Sequence, residues 1–112
     1  MTRKQRPDSA EALAAARELA RLRDEIDALD RQLVELLNER ADLALAAGRI
    51  KATAGRRGIR DADREREVLL RVAMANEGPL PQAELLALYR RLIRATVALE
   101  RIDRDGAGGA RP

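Results

Sequence analysis

Two cations stand where an apolar seam should continue. Leu19, Leu22, Ile26, Leu29, Leu33 and Leu36 recur at alternating spacings of three and four, and the next position of that series is Arg40. Lys51 follows eleven residues later, which at 100° per residue returns to within about 20° of the same face, roughly 16 Å along a helix axis. Arg23 precedes Arg40 by seventeen residues, about 100° away, so it cannot share a pocket with Arg40 of its own chain. In an antiparallel pair of chains it can enter the partner's pocket. Further on, Asp61, Arg64 and Glu65 fall at i, i+3 and i+4 and form one polar face. Glu100 follows Tyr89, Ile93, Thr96 and Val97 at helical spacing, which sets a carboxyl group against an apolar face. Each feature has a bland explanation: a register-setting arginine with a snorkelling head, a capped helix start, a boundary glutamate. Several cations on or near apolar faces are nevertheless mutually costly unless something anionic sits among them. The chemistry this points to is the binding of a small anion in a cationic pocket.

Composition narrows the reaction types. The 112 residues include no Cys, His, Trp or Phe and one Tyr. A disulfide framework, a thiolate nucleophile, a zinc finger and a Ser-His-Asp triad are therefore excluded. One aromatic residue makes no base-stacking platform for single-stranded nucleic acid. There are 22 Lys and Arg against 19 Asp and Glu, interleaved along the chain, which reads as a mixed-charge helical surface and not as a nucleic-acid footprint. The basic start, Met1 to Arg6, is followed by no apolar run, and no stretch approaches the ~20 apolar residues of a membrane span. A cytoplasmic protein is expected, with no membrane partner.

The elements that must position these residues are helices. Asp8 is placed to cap a first helix, with Glu11 as its capping-box partner. From there to Gly55 the chain has no Pro, and Gly48 is the one interior Gly. A continuous helix of that length spans roughly 70 Å, more than so small a chain can cover, so a second chain is expected on part of the stripe. Residues 54–58, with Gly55 and Gly58, form a turn. Asp61 or Asp63 starts a second helix that runs to about Asn76, and Pro81 suits the first turn of a third. The expected organisation is a disordered segment over 1–7, one all-α domain over 8–103 and a disordered Gly-rich tail over 104–112.

Four runs together resemble the all-helical (AroQ) class of chorismate mutases: Leu22-Arg23-Asp24-Glu25-Ile26-Asp27-Ala28-Leu29-Asp30, Leu36-Leu37-Asn38-Glu39-Arg40, Gly48-Arg49-Ile50-Lys51 and Arg60-Asp61-Ala62-Asp63-Arg64-Glu65-Arg66-Glu67. The resemblance spans about residues 19 to 101. No single motif is specific; the combination at compatible spacing is. The loop between Lys51 and Arg60 is slightly longer than in the bacterial members.

The resemblance implies an intertwined homodimer of three-helix chains with the long first helices antiparallel. It implies two sites, each drawing Arg40, Lys51 and Arg64 from one chain and Arg23 from the other. Arg23 and Arg40 would clamp the two carboxylates of chorismate, Lys51 would donate to the ether oxygen, and Asp61 (through its backbone) and Glu65 would hold the ring hydroxyl. Thr96 stands where the family often has a small hydroxyl residue. Glu100 stands where many bacterial members have Gln and others Glu. The implied reaction is the intramolecular [3,3] rearrangement of chorismate to prephenate in phenylalanine and tyrosine biosynthesis, which needs no metal, cofactor, nucleophile or obligatory proton transfer.

Nearly the same cation set would serve isochorismate pyruvate lyase or 4-amino-4-deoxychorismate mutase. From another class comes a helical interaction module active only with a shikimate-pathway enzyme, since some stand-alone members are weak until bound to such a partner. The chain leaves no room for a fused dehydratase, dehydrogenase or amino-acid-binding domain, so feedback control is expected from elsewhere.

Overall fold

The computed structural model describes residues 9–55 and 61–109. The fold is all-α: α1 (Ser9–Thr53), α2 (Ala62–Ala75) and α3 (Gln82–Gly109), with no strand among the described residues. The chain divides into two compact units, Met1–Glu39 and Arg40–Pro112.

The first unit holds residues 9–39 of α1. Ala, Leu, Arg and Glu dominate it, all residues that lose little in a helix. Arg21 pairs one turn back with Glu18 and one turn on with Glu25, the latter at 2.6 Å. The expected cap Asp8 and the segment 1–7 lie outside the described residues. The seam carries no cover: its aliphatic side chains from Leu19 to Leu36 are all exposed, Leu22 by 43% and Leu36 by 60%. At about 25 cal/mol per Å2 of apolar surface, so long a stripe is a large unspent driving force for association.

In the second unit α1 ends at a glycine. Ala54 N–H donates to the Ile50 carbonyl (3.0 Å) and Gly55 N–H to that of Ala52 (3.1 Å). Gly55 has φ +83°, the left-handed conformation that glycine enters without a β-carbon clash. Residues 56–60, including Gly58 and Arg60, are outside the described residues. Asp61 is the cap of α2: it is extended (φ −121°, ψ 97°), and its Oδ1 accepts from the Arg64 N–H at 3.0 Å.

A side-chain network closes the hairpin between α2 and α3. Asn76 Nδ2 donates to the Leu80 carbonyl (3.1 Å) and to Gln82 Oε1 (2.9 Å), while Gln82 Nε2 donates to the Ala73 carbonyl (3.0 Å). α2 packs on α3. Pro81 sits just before α3 and not within its first turn; its carbonyl accepts from Glu84 and Leu85 N–H, both at 3.1 Å. α3 continues to Gly109, beyond the boundary at 103 that composition predicts. Gly costs about 1 kcal/mol relative to Ala inside a helix, but no Pro interrupts the ladder before residue 112, so the helix need not stop at Asp103. Thr96 is the one buried residue among those described, and its Oγ1 donates to the Leu92 carbonyl at 2.9 Å.

Candidate functional site

Three helical stripes of the second unit face one cavity of about 400 Å3. α1 contributes Arg40, Leu43, Ala44, Ala47 and Lys51, at i, i+3, i+4, i+7 and i+11. α2 contributes Arg64, Glu65 and Val68, with Asp61 at its cap, and α3 contributes Ile93, Thr96, Val97 and Glu100. In each helix the spacing is that of a single face, so the local period of 3.6 residues alone gathers each set. The result is a cavity with aliphatic walls and polar groups from three elements. Its size suits a small-molecule ligand.

By formal count the charges of the cavity balance, three cations against three carboxyl groups. Arg40, Lys51 and Arg64 face Asp61, Glu65 and Glu100. The Asp61 carboxylate is engaged with the first turn of α2, where it caps the Arg64 N–H. The Glu100 carboxyl is pushed above the ordinary carboxylate range by burial, against the opposing pull of Lys51 and Arg104. Sequence reasoning leaves that contest open; here burial prevails. With the Asp61 carboxylate engaged by the first turn of its own helix, Arg40, Lys51 and Arg64 leave the cavity disposed towards an anion.

Glu100 owes its position partly to Gly48. A β-carbon on Gly48 would lie 3.6 Å from Glu100 Oε2, so the carboxyl group rests over the bare backbone of α1. One turn further along α3, Asp103 forms a two-point ion pair with Arg49: Nη2 to Oδ1 at 2.7 Å and Nε to Oδ2 at 3.1 Å. The fork holds the Asp103 carboxyl below its usual range.

Arg64, which lines the cavity, also pairs along α2. Its Nη1 meets Glu67 at 3.2 Å, and Arg71 reaches the same carboxylate at 2.6 Å. The Arg64–Glu67 pair is exposed on both sides, the kind worth at most about 1 kcal/mol, so an anionic ligand competes easily for the arginine.

Seven of the eight residues singled out from sequence, Arg40, Lys51, Asp61, Arg64, Glu65, Thr96 and Glu100, line this cavity. Arg23 belongs to the first unit and is not among the lining residues. Sequence reasoning missed Ala44 and Val68 as walls. Both were within reach of the same arithmetic, since Ala44 is four residues after Arg40 and Val68 four after Arg64. It also missed the Arg49–Asp103 pair, whose partners are 54 positions apart and carry no local signal.

Comparison with known proteins adds a family to this geometry. The family model described as chorismate mutase type II matches residues 22–101. The bifunctional chorismate mutase/prephenate dehydratase of Aquifex aeolicus is 41% identical over 88 residues, 75% of this chain and 24% of that protein. Its counterpart from Neisseria gonorrhoeae is 38% identical over 79 residues, 70% of this chain and 21% of that protein. The chain thus spans about a quarter of the length of these curated relatives. Among solved structures, chorismate mutase (form II) from Thermus thermophilus superposes with a TM-score of 0.71 at 31% identity, covering 75% of this chain and 94% of that one.

Proposed function

Since the chain belongs to the chorismate mutase type II family, we propose that it rearranges chorismate to prephenate in the cavity between α1, α2 and α3 of the second unit. The observation that carries this reading is the convergence of Arg40, Lys51, Arg64 and Glu100 on one aliphatic-walled cavity. Neither isochorismate cleavage nor rearrangement of the 4-amino analogue is favoured by any feature of the site.

The reaction asks two things of a protein. The flexible dianion must be held in its compact chair-like conformer, which lowers the entropic part of the barrier. Charge that builds on the ether oxygen as the C–O bond breaks must meet hydrogen-bond donors already in place. Planar guanidinium forks suit the first task because they match a carboxylate edge to edge. Arg40 takes one carboxylate, assisted by Arg64, and Arg23 of a second copy takes the other. Lys51 Nζ donates to the ether oxygen from one side, and the Glu100 carboxyl donates from the other when it carries its proton. Glu65 and the backbone at Asp61 hold the ring hydroxyl, and Thr96 closes the aliphatic wall.

The second copy is part of the proposal. The uncovered seam of α1 supports it, because an antiparallel partner helix would bury that stripe and bring Arg23 to the site. A pathway enzyme as a further partner is compatible with the relatives, in which the mutase segment is fused to prephenate dehydratase.

The test is loss of chorismate absorbance with purified protein, alone and with a shikimate-pathway enzyme added, alongside sedimentation to read the assembly. Turnover by a dimer is expected. A folded dimer that leaves chorismate untouched under both conditions rules the proposal out.

A further inference from the structure

Neither Arg49 nor Asp103 lines the cavity, yet both sit beside residues that do. Arg49 follows Gly48 and precedes Lys51 by two positions, in the last turns of α1. Asp103 is three positions after Glu100, on the same side of α3. The ion pair and the Gly48–Glu100 approach are therefore neighbouring rungs between the same two helices. The pair is a fork on a carboxylate, two hydrogen bonds at 2.7 and 3.1 Å, which fixes orientation as well as distance. By contrast, the glycine below Glu100 offers no side chain to grip it, and a free glutamate side chain has several rotors to lose. Something else has to hold the carboxyl group there.

We propose that Arg49 and Asp103 are a positioning pair that sets the Glu100 carboxyl over Gly48, on the Lys51 side of the cavity. The pair touches no substrate; it acts through Glu100, and its importance for turnover rests on the function proposed above. Arg49 is 64% exposed and Asp103 29%, so the pair adds little to stability as such. Its worth lies in geometry. Facing Glu100 are Lys51 and Arg40 from α1, Asp61, Arg64 and Glu65 from α2, and Arg104 on its own helix.

Titration separates positioning from simple charge. If Arg49 and Asp103 act on Glu100 only as charges, Arg49→Gln removes a cation and moves its midpoint up, while Asp103→Asn moves it down. If they position it, either change lets the carboxyl swing towards water, and both move the midpoint down. The experiment is a carbon-13 titration of the Glu100 carboxyl in the whole protein, assigned with Glu100→Gln, on wild type, Arg49→Gln, Asp103→Asn and Arg49→Lys. The expected result is a lower midpoint in Arg49→Gln and Asp103→Asn, a partial drop in Arg49→Lys, and unchanged helical content. A midpoint in Arg49→Gln that stays put or rises overturns the proposal. On the same samples, kcat for chorismate should fall about threefold or more with KM held within about twofold. Unchanged kcat in variants whose midpoint has moved overturns the link to turnover. A wild type that does not turn over chorismate overturns the functional reading alone, because the titration still decides the positioning role.

Discussion

Glu100 rests over Gly48, with its Oε2 3.6 Å from where a β-carbon on that glycine would stand. That approach keeps water from one face of the carboxyl group and is part of why burial outweighs the pull of Lys51 and Arg104 on its proton. Two residues from different helices thus meet at the acid whose titration burial raises.

Gly48→Ala tests the space directly. A contact of 3.6 Å is ordinary van der Waals distance, so the methyl group fits without displacing Glu100. The helix should gain about 0.5–1 kcal/mol from losing a mid-helix glycine, read as a higher Tm. The added methyl shields the carboxyl further, so the fall of turnover with rising pH should move to higher pH. Gly48→Leu, which must push Glu100 aside, should lower turnover; equal activity in both variants would show that the approach is irrelevant.

Glu100 itself should govern the pH profile. Its carboxyl titrates above the ordinary value of 4.5, so the proton-bearing form persists to higher pH than in a free glutamate. Turnover should be greatest below the raised midpoint and decline as pH rises through it, whereas Glu100→Gln, which donates at every pH, should give a flatter curve. Parallel curves would remove the acid from the mechanism. Stability follows the same sign: the wild type should lose stability relative to Glu100→Gln as pH climbs from about 4.5 through the raised value.

Lys51→Ala should cost about a hundredfold or more in kcat, in the range found for removing one donor from a developing oxyanion. Circular dichroism and sedimentation should be unchanged, since Lys51 lines the cavity and its loss leaves the aliphatic seam of α1 intact. Near-wild-type turnover from folded Lys51→Ala would exclude it as the ether-oxygen donor.

Subunit mixing addresses Arg23. If each site takes Arg23 from one chain and Lys51 from the other, Arg23→Ala and Lys51→Ala are each inactive as homodimers. Co-refolding equal amounts makes about half the dimers mixed, each with one intact site, so about a quarter of wild-type activity should return. No recovery in demonstrably mixed dimers would place Arg23 outside the partner's site.

What could be read along the chain was whatever local chemistry decides. Gly55, Asp61 and Pro81 end, cap and precede helices because each acts on backbone groups within a few residues of itself. The seam and the stripes of Arg40 and Lys51, of Arg64 and Glu65, and of Thr96 and Glu100 follow from the 3.6-residue period, so each set was legible on its own helix. The length of α3 was less so, because composition weighs glycines one at a time while a helix already under way extends cooperatively. Whether the three stripes meet was decided by the fold, since their distance apart depends on how α1, α2 and α3 pack. The Arg49–Asp103 fork and the Glu100–Gly48 approach are likewise long-range pairings with no periodic trace. The direction in which the Glu100 titration moves is the sharpest case: burial and two cations oppose one another, and only their distances in the folded chain set the sign.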